Sequence, residues 1–182
     1  MNKIKRVSLC FRVLFQIVFC LLFLQVLGVG VTWVIAPHIL SFLDGNIVFS
    51  LPNYPVLHPL SITTRLLGFL LSIIPIGIGI LVAYFLVKLF QLYEQGEIFS
   101  LKNVIYIRNI GYTLLIGQLF NPLYDALMSL LLTWSNPPHH HLVQVTVNGT
   151  NVGILFTSLL VILISWIMAE GHKLLEEHEL TV

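Results

Sequence analysis

A chain of 182 residues that is 57% hydrophobic and only 9% charged, with mean hydropathy +0.94, is not an ordinary water-soluble domain, which carries about a quarter charged residues. A net charge of +1 gives no basic surface for direct nucleic-acid binding. Several segments reach the ~18 apolar residues that a bilayer crossing requires, so the lipid bilayer is the solvent this sequence is written for.

The first twelve residues carry Lys3, Lys5, Arg6 and Arg12 and no acid. The first span is predicted at about 13–35. It lacks a small-residue cleavage site and is expected to stay as an anchor. Cys10 and Cys20 form no CxxC pair and read as small apolar fillers. Trp33 falls near the far end of the span, where an indole prefers the interface. Ala36-Pro37 ends the helix, because proline disfavours helical angles in the residue before it. An outer loop, 38–64, follows with an Asp44-Gly45-Asn46 turn signal, a β-like run Ile47–Leu51, and Pro52, Pro55 and Pro59.

The second span, about 66–87, contains Pro75, which predicts a kink. Its Gly77 and Gly79 predict close helix packing. The loop 88–109 is the charged centre of the chain. Gly96 can adopt the angles that end a helix. Ser100 is expected to cap the next one through its hydroxyl, and Leu101, Val104 and Ile105 fall at helical spacing behind it.

The third span is predicted at about 110–134. The outer loop 135–151 holds Pro137-Pro138, His139-His140-His141, an alternating run Leu142–Val147, and the tight-turn signal Asn148-Gly149. Its alternation predicts a strand paired with Ile47–Leu51, giving a small extracytoplasmic β-structure. The fourth span, about 152–170, is expected to run on as helix to Leu175, before an acidic tail. The fold class is therefore an all-α membrane protein, a single domain over 1–182 with four transmembrane helices.

Positive residues set orientation. Lys3, Lys5, Arg6, Arg12, Lys88, Lys102, Arg108 and Lys173 fall on one side and Arg65 alone on the other. N- and C-termini are predicted cytoplasmic.

Asp125 is the only acid deep in a span, and an intramembrane carboxylate is a functional hypothesis by default. Gln118, Asn121, Asp125 and Ser129 are spaced by three, four and four, which puts them on one helical face. Arg65 could reach in from the outer edge to pair with Asp125. Two readings stand: an ion-handling carboxylate beside the Pro122 bend, or a hydrogen-bonded stripe that fixes helix register, with the second favoured. His139, His140 and His141 could ligate a metal, but neighbours on a strand point to opposite faces and cannot all converge on one ion, so a solvated loop is the favoured reading. No zinc, phosphate-loop or dinucleotide motif and no nucleophile–base arrangement occurs, so neither a cofactor nor an enzymatic reaction is expected.

Gly96-Glu97-x-Phe99 followed by Asn103, then Ile107-Arg108-x-Ile110-Gly111, and at the C-terminus Gly171-x-x-Leu174, Glu176-Glu177 and Glu179-Leu180-Thr181-Val182, occur in that order. In this the chain resembles a family of uncharacterised bacterial inner-membrane proteins catalogued as domain of unknown function 2975. The resemblance implies a four-helix membrane protein without established activity. It also implies membrane regulation, since such proteins are often encoded beside a small helix-turn-helix regulator. Gly96, Phe99, Asn103, Arg108, Gly171, Leu174 and Glu177 are expected to form a cytoplasmic docking surface, with Phe99, Leu174 and Leu180 supplying burial. The alternative is a small transporter or channel component built on Asp125. Four spans are few for alternating access, so that role implies a homo-oligomer.

Overall fold

The computed structural model describes residues 3–35, 60–98, 100–134, 136, 143–147 and 149–180, with side chains ending at Leu174. It consists of α1 (Lys3–Ile35), α2 (Ile62–Gln95), α3 (Leu101–Thr133) and α4 (Gly149–Leu180). All four are long and apolar enough to cross a membrane: Ile4–Val34, Ile62–Gln95, Leu101–Thr133 and Gly149–Leu174. At 1.5 Å per residue, helices of 32–34 residues run to about 50 Å, against about 30 Å of hydrocarbon. They therefore exceed the predicted spans, because charged residues at a bilayer edge end the apolar run without ending the helix. Pro75 and Pro122 both lie inside continuous helices.

Local chemistry sets the ends. The Ser61 hydroxyl accepts the Thr64 N–H at 3.2 Å and lies 2.9 Å from the Thr64 hydroxyl, so α2 starts four residues before the predicted span, capped by a serine. Gly96 ends it with φ +94°. The Gly96 N–H bonds to Tyr93 O at 3.1 Å and the Glu97 N–H to Leu92 O at 3.0 Å, the paired bonds of a Schellman end. The helix α3 begins directly after Ser100, as expected, but the Ser100 hydroxyl oxygen is buried without a hydrogen-bond partner among the described residues. Fully buried Asn103 instead donates its side-chain amide to Glu97 O at 2.5 Å.

The chain divides into two compact units. The first comprises Met1–Leu21, Ile78–Gln118 and Asn148–Val182, the second Leu22–Gly77 and Leu119–Val147. In the first, Phe11 and Phe15 stack on Phe90 at 5.2 and 5.5 Å between centroids. Beside them Arg12 pairs with Glu94 at 2.6 Å, the two side chains 28% and 26% exposed; still in reach of solvent, the pair contributes on the order of 1 kcal/mol. The helices α3 and α4 meet at Gly111, where a Cβ would lie 2.6 Å from Ile162 Cγ1 and 3.2 Å from Ser158 O. Likewise a Cβ on Gly117 would lie 2.8 Å from Ile78 Cγ2.

The second unit is centred on Trp33, Leu60, Met128 and Leu132, all buried. Trp33 was expected at the interface. It is only 4% exposed, because Gly68 leaves room for its ring and its indole N–H finds Ser72 Oγ at 3.1 Å. A Cβ on Gly68 would sit 2.2–2.6 Å from that ring. The expected packing role of Gly77 is not met, since nothing lies within 4 Å of a Cβ placed there. Small residues let helices approach in lipid, and here the close approaches are at Gly68, Gly111 and Gly117.

Gly68→Ala and Gly111→Ala should each lower unfolding stability in detergent micelles by about 1–3 kcal/mol through overpacking. Gly77→Ala should leave it unchanged or raise it by up to ~1 kcal/mol. Equal midpoints for all three variants would show that these contacts do not set the packing.

Candidate functional site

The face of α3 that carries Asn121, Asp125 and Ser129 does hold polar chemistry, but with an unexpected partner. The run Val143–Val147 forms no strand; among the described residues there is none. The predicted partner Ile47–Leu51 lies outside the described residues. Instead the Gln144 N–H donates to Ser129 Oγ at 2.9 Å and the Thr146 N–H to Asp125 Oδ2 at 3.2 Å.

The fit is geometric. Two residues of extended chain advance about 6.6 Å, and four residues of helix rise about 6.0 Å. Alternate amides of a strap can therefore meet side chains at i and i+4 on a helix, which stand in for a neighbouring strand. The strap runs back along α3, antiparallel to it. Alternation in the sequence correctly indicates an extended run, but alternation carries no information about what pairs with it.

The Ser129 rung is tied to its own helix. Ser129, fully buried, also donates its hydroxyl to Ala126 O at 3.0 Å, while Thr133, four residues on, donates to Ser129 O at 2.8 Å. Asp125 is half-buried and accepts an amide rather than a guanidinium: the expected Arg65 pair is not formed among the described residues. Gln118 and Asn121 lie on the same helix and make no hydrogen bond among the described residues. Sequence reasoning missed Thr133 and the Trp33–Ser72 bond; the signals available were Thr133 at i+4 from Ser129 and the Gly68/Ser72 pair at the same spacing.

Of the expected docking residues, Gly96 and Asn103 fix the α2–α3 turn as described. Arg108 is half-buried and forms no ion pair among the described residues. Gly171 is exposed and Leu174 is 59% exposed. Phe99 and the side chains of Glu177 and Leu180 lie outside the described residues, as do His139, His140 and His141.

Four membrane-length helices with a polar ladder on the third define a multi-pass membrane protein. The chain matches the family model described as "Protein of unknown function (DUF2975)" over residues 52–182 and belongs to that family. No curated protein and no solved structure matches it.

Asp125→Leu removes the acceptor of the exposed Thr146 amide and should cost about 0.5–1.5 kcal/mol of unfolding stability, the net worth of one hydrogen bond. Asp125→Asn keeps an acceptor oxygen and should cost less than ~1 kcal/mol. If Asn is as damaging as Leu, the charge itself is required and the ladder account is wrong.

Proposed function

We propose that the protein is a non-enzymatic inner-membrane protein with both termini cytoplasmic, whose inner rim binds a regulatory protein partner. The carrying observation is the distribution of charge. Eight of the nine basic residues and six of the eight acidic ones fall in the sequence ranges of the first unit, together with both termini and the α2–α3 turn. The same basic residues orient the chain by the positive-inside rule.

What supports recognition at this rim is its mixture of fixed and open features. The turn is rigid, held by the Gly96 helix end and by Asn103. Around it, Leu101 and Leu174 stand exposed near Lys102, Glu170 and Lys173 in sequence. Such charge pairs alone contribute ~0–1 kcal/mol each. Buried apolar area at Leu101, Leu174 and the remaining tail therefore supplies most of the affinity.

The competing reading, a small transporter or channel component using Asp125, has in its favour the cost of placing a carboxylate in a span. Against it, that carboxylate already serves the strap.

A chain shortened by Glu176–Val182 should insert and melt normally but recover at least tenfold less of the cytoplasmic partner that co-purifies with the full chain. Liposomes holding the full chain or Asp125→Asn should show the ion flux of empty liposomes. Flux abolished by Asp125→Asn would establish the transporter reading, and undiminished recovery would remove the tail from the docking surface. With Cys10 and Cys20 replaced by Ser, a membrane-impermeant maleimide should label Val143→Cys and not Ser100→Cys in intact cells; the opposite pattern inverts the molecule.

A further inference from the structure

Within the first unit, the seam between α3 and α4 brings a cation and an acid to one lip. Gly111 of α3 meets Ile162 and Ser158 of α4, so these residues mark the facing sides of the two helices. A step of four residues turns about 40° around a helix. On α3 the row Val104, Arg108, Tyr112 accordingly passes from buried through half-buried to exposed. On α4 the row Ile162, Trp166, Glu170 leaves the contact in the same way, with Trp166 60% exposed and Glu170 exposed. Consecutive spans run in opposite directions, so both rows emerge on the same side of the seam. Arg108 lies three residues and Trp166 four residues from the Gly111–Ile162 contact, both toward the α2–α3 turn. Their levels therefore differ by only about 1.5 Å, and Glu170 follows about 6 Å beyond Trp166.

Neither Arg108 nor Glu170 forms an ion pair among the described residues. Arg108 stands seven residues inside α3, a helix of membrane-spanning length, where a charge needs a partner. We propose that this lip binds a phospholipid headgroup that carries a primary ammonium beyond its phosphate, as phosphatidylethanolamine does. The Arg108 guanidinium takes the phosphate, and the ammonium lies on Trp166 and Glu170.

The chemistry and its order along the lip select this ligand. A guanidinium offers a phosphate two parallel N–H donors. An indole face attracts an ammonium, and a carboxylate accepts its N–H groups. In such a headgroup the phosphate is the part nearer the acyl chains, and the ammonium stands a few ångströms further toward water. The protein presents its charges in that same order, Arg108 deeper in its span and Glu170 nearer the helix end. Past Arg108 the α3 row continues into Tyr112 and Ile116, 42% and 65% exposed, an apolar track for the acyl chain. Phosphatidylglycerol satisfies Arg108 but brings no ammonium to Glu170. Phosphatidylcholine brings a cation without N–H donors. The site stands on this seam alone and is independent of the partner-binding rim proposed above.

The test is lipid retention. The full chain is reconstituted in nanodiscs of phosphatidylethanolamine and phosphatidylglycerol in equal amounts, moved into detergent, and analysed by native mass spectrometry. Wild type should retain phosphatidylethanolamine at least fivefold over phosphatidylglycerol, and at least fivefold over phosphatidylcholine when that replaces phosphatidylglycerol. Arg108→Gln should lower retention of every phospholipid at least tenfold. Glu170→Gln should keep a bound phospholipid but lose the preference for phosphatidylethanolamine. Lys88→Gln, which removes a cation from α2 outside the lip, should match wild type. Retention by Arg108→Gln equal to that of wild type overturns the site. Equal or preferred retention of phosphatidylglycerol by wild type overturns the headgroup assignment. Should Arg108→Gln fail to insert, Arg108→Lys keeps the charge without the paired donors and should retain several-fold less phosphatidylethanolamine than wild type; unchanged retention counts against Arg108 as the phosphate ligand.

Discussion

A backbone amide inside a bilayer has no water to bond to, and this constraint governs the four long helices. Four helices meet it by bonding within themselves. The stretch Val143–Val147 is not helical, and side chains of α3 take two of its amides: Ser129 accepts from Gln144 and Asp125 from Thr146. This gives the carboxylate of Asp125 a reason to exist that needs no substrate. It also explains why the polar face of α3 is spaced in fours, since that is the helical spacing that matches an extended chain.

The two units hold different chemistry. The second unit is stabilised by an apolar cluster around Trp33 and by hydroxyls that close bonds locally. The first unit holds the ring stack Phe11–Phe15–Phe90, the Arg12–Glu94 pair, the tight turn at Gly96 and the close approach at Gly111. Most of the charge in the sequence falls in the first unit. Membership of a family described only as proteins of unknown function adds no chemistry to this division, so the functional reading rests on where charge and exposed apolar residues lie.

Much of the fold was legible in the sequence. Hydropathy located four crossings, Gly96 marked the end of α2, Ser100 the start of α3, and the spacing of Asp125 and Ser129 put them on one face. What was not legible depends on pairs of residues distant in sequence. Trp33 looked like an interfacial anchor because nothing near it in the chain announces the gap left by Gly68. Gly77 looked like a packing residue because a glycine in a span often is, yet only the neighbouring helix decides. The alternation of 143–147 named a conformation and left its partner unstated, and the partner proved to be a helix. Arg65 was the obvious counter-ion for Asp125 on charge alone, but among the described residues that carboxylate accepts the Thr146 amide and meets no guanidinium.

The most direct measurement is amide exchange along the wild-type strap in lipid nanodiscs. If α3 serves as its neighbouring strand, the Gln144 and Thr146 amides exchange at least ~10-fold more slowly than the Val145 amide between them, whose N–H faces the other edge. Uniformly fast exchange from Val143 to Val147 would mean that the strap is not held by Ser129 and Asp125, and the reading of this molecule built on that ladder would be wrong.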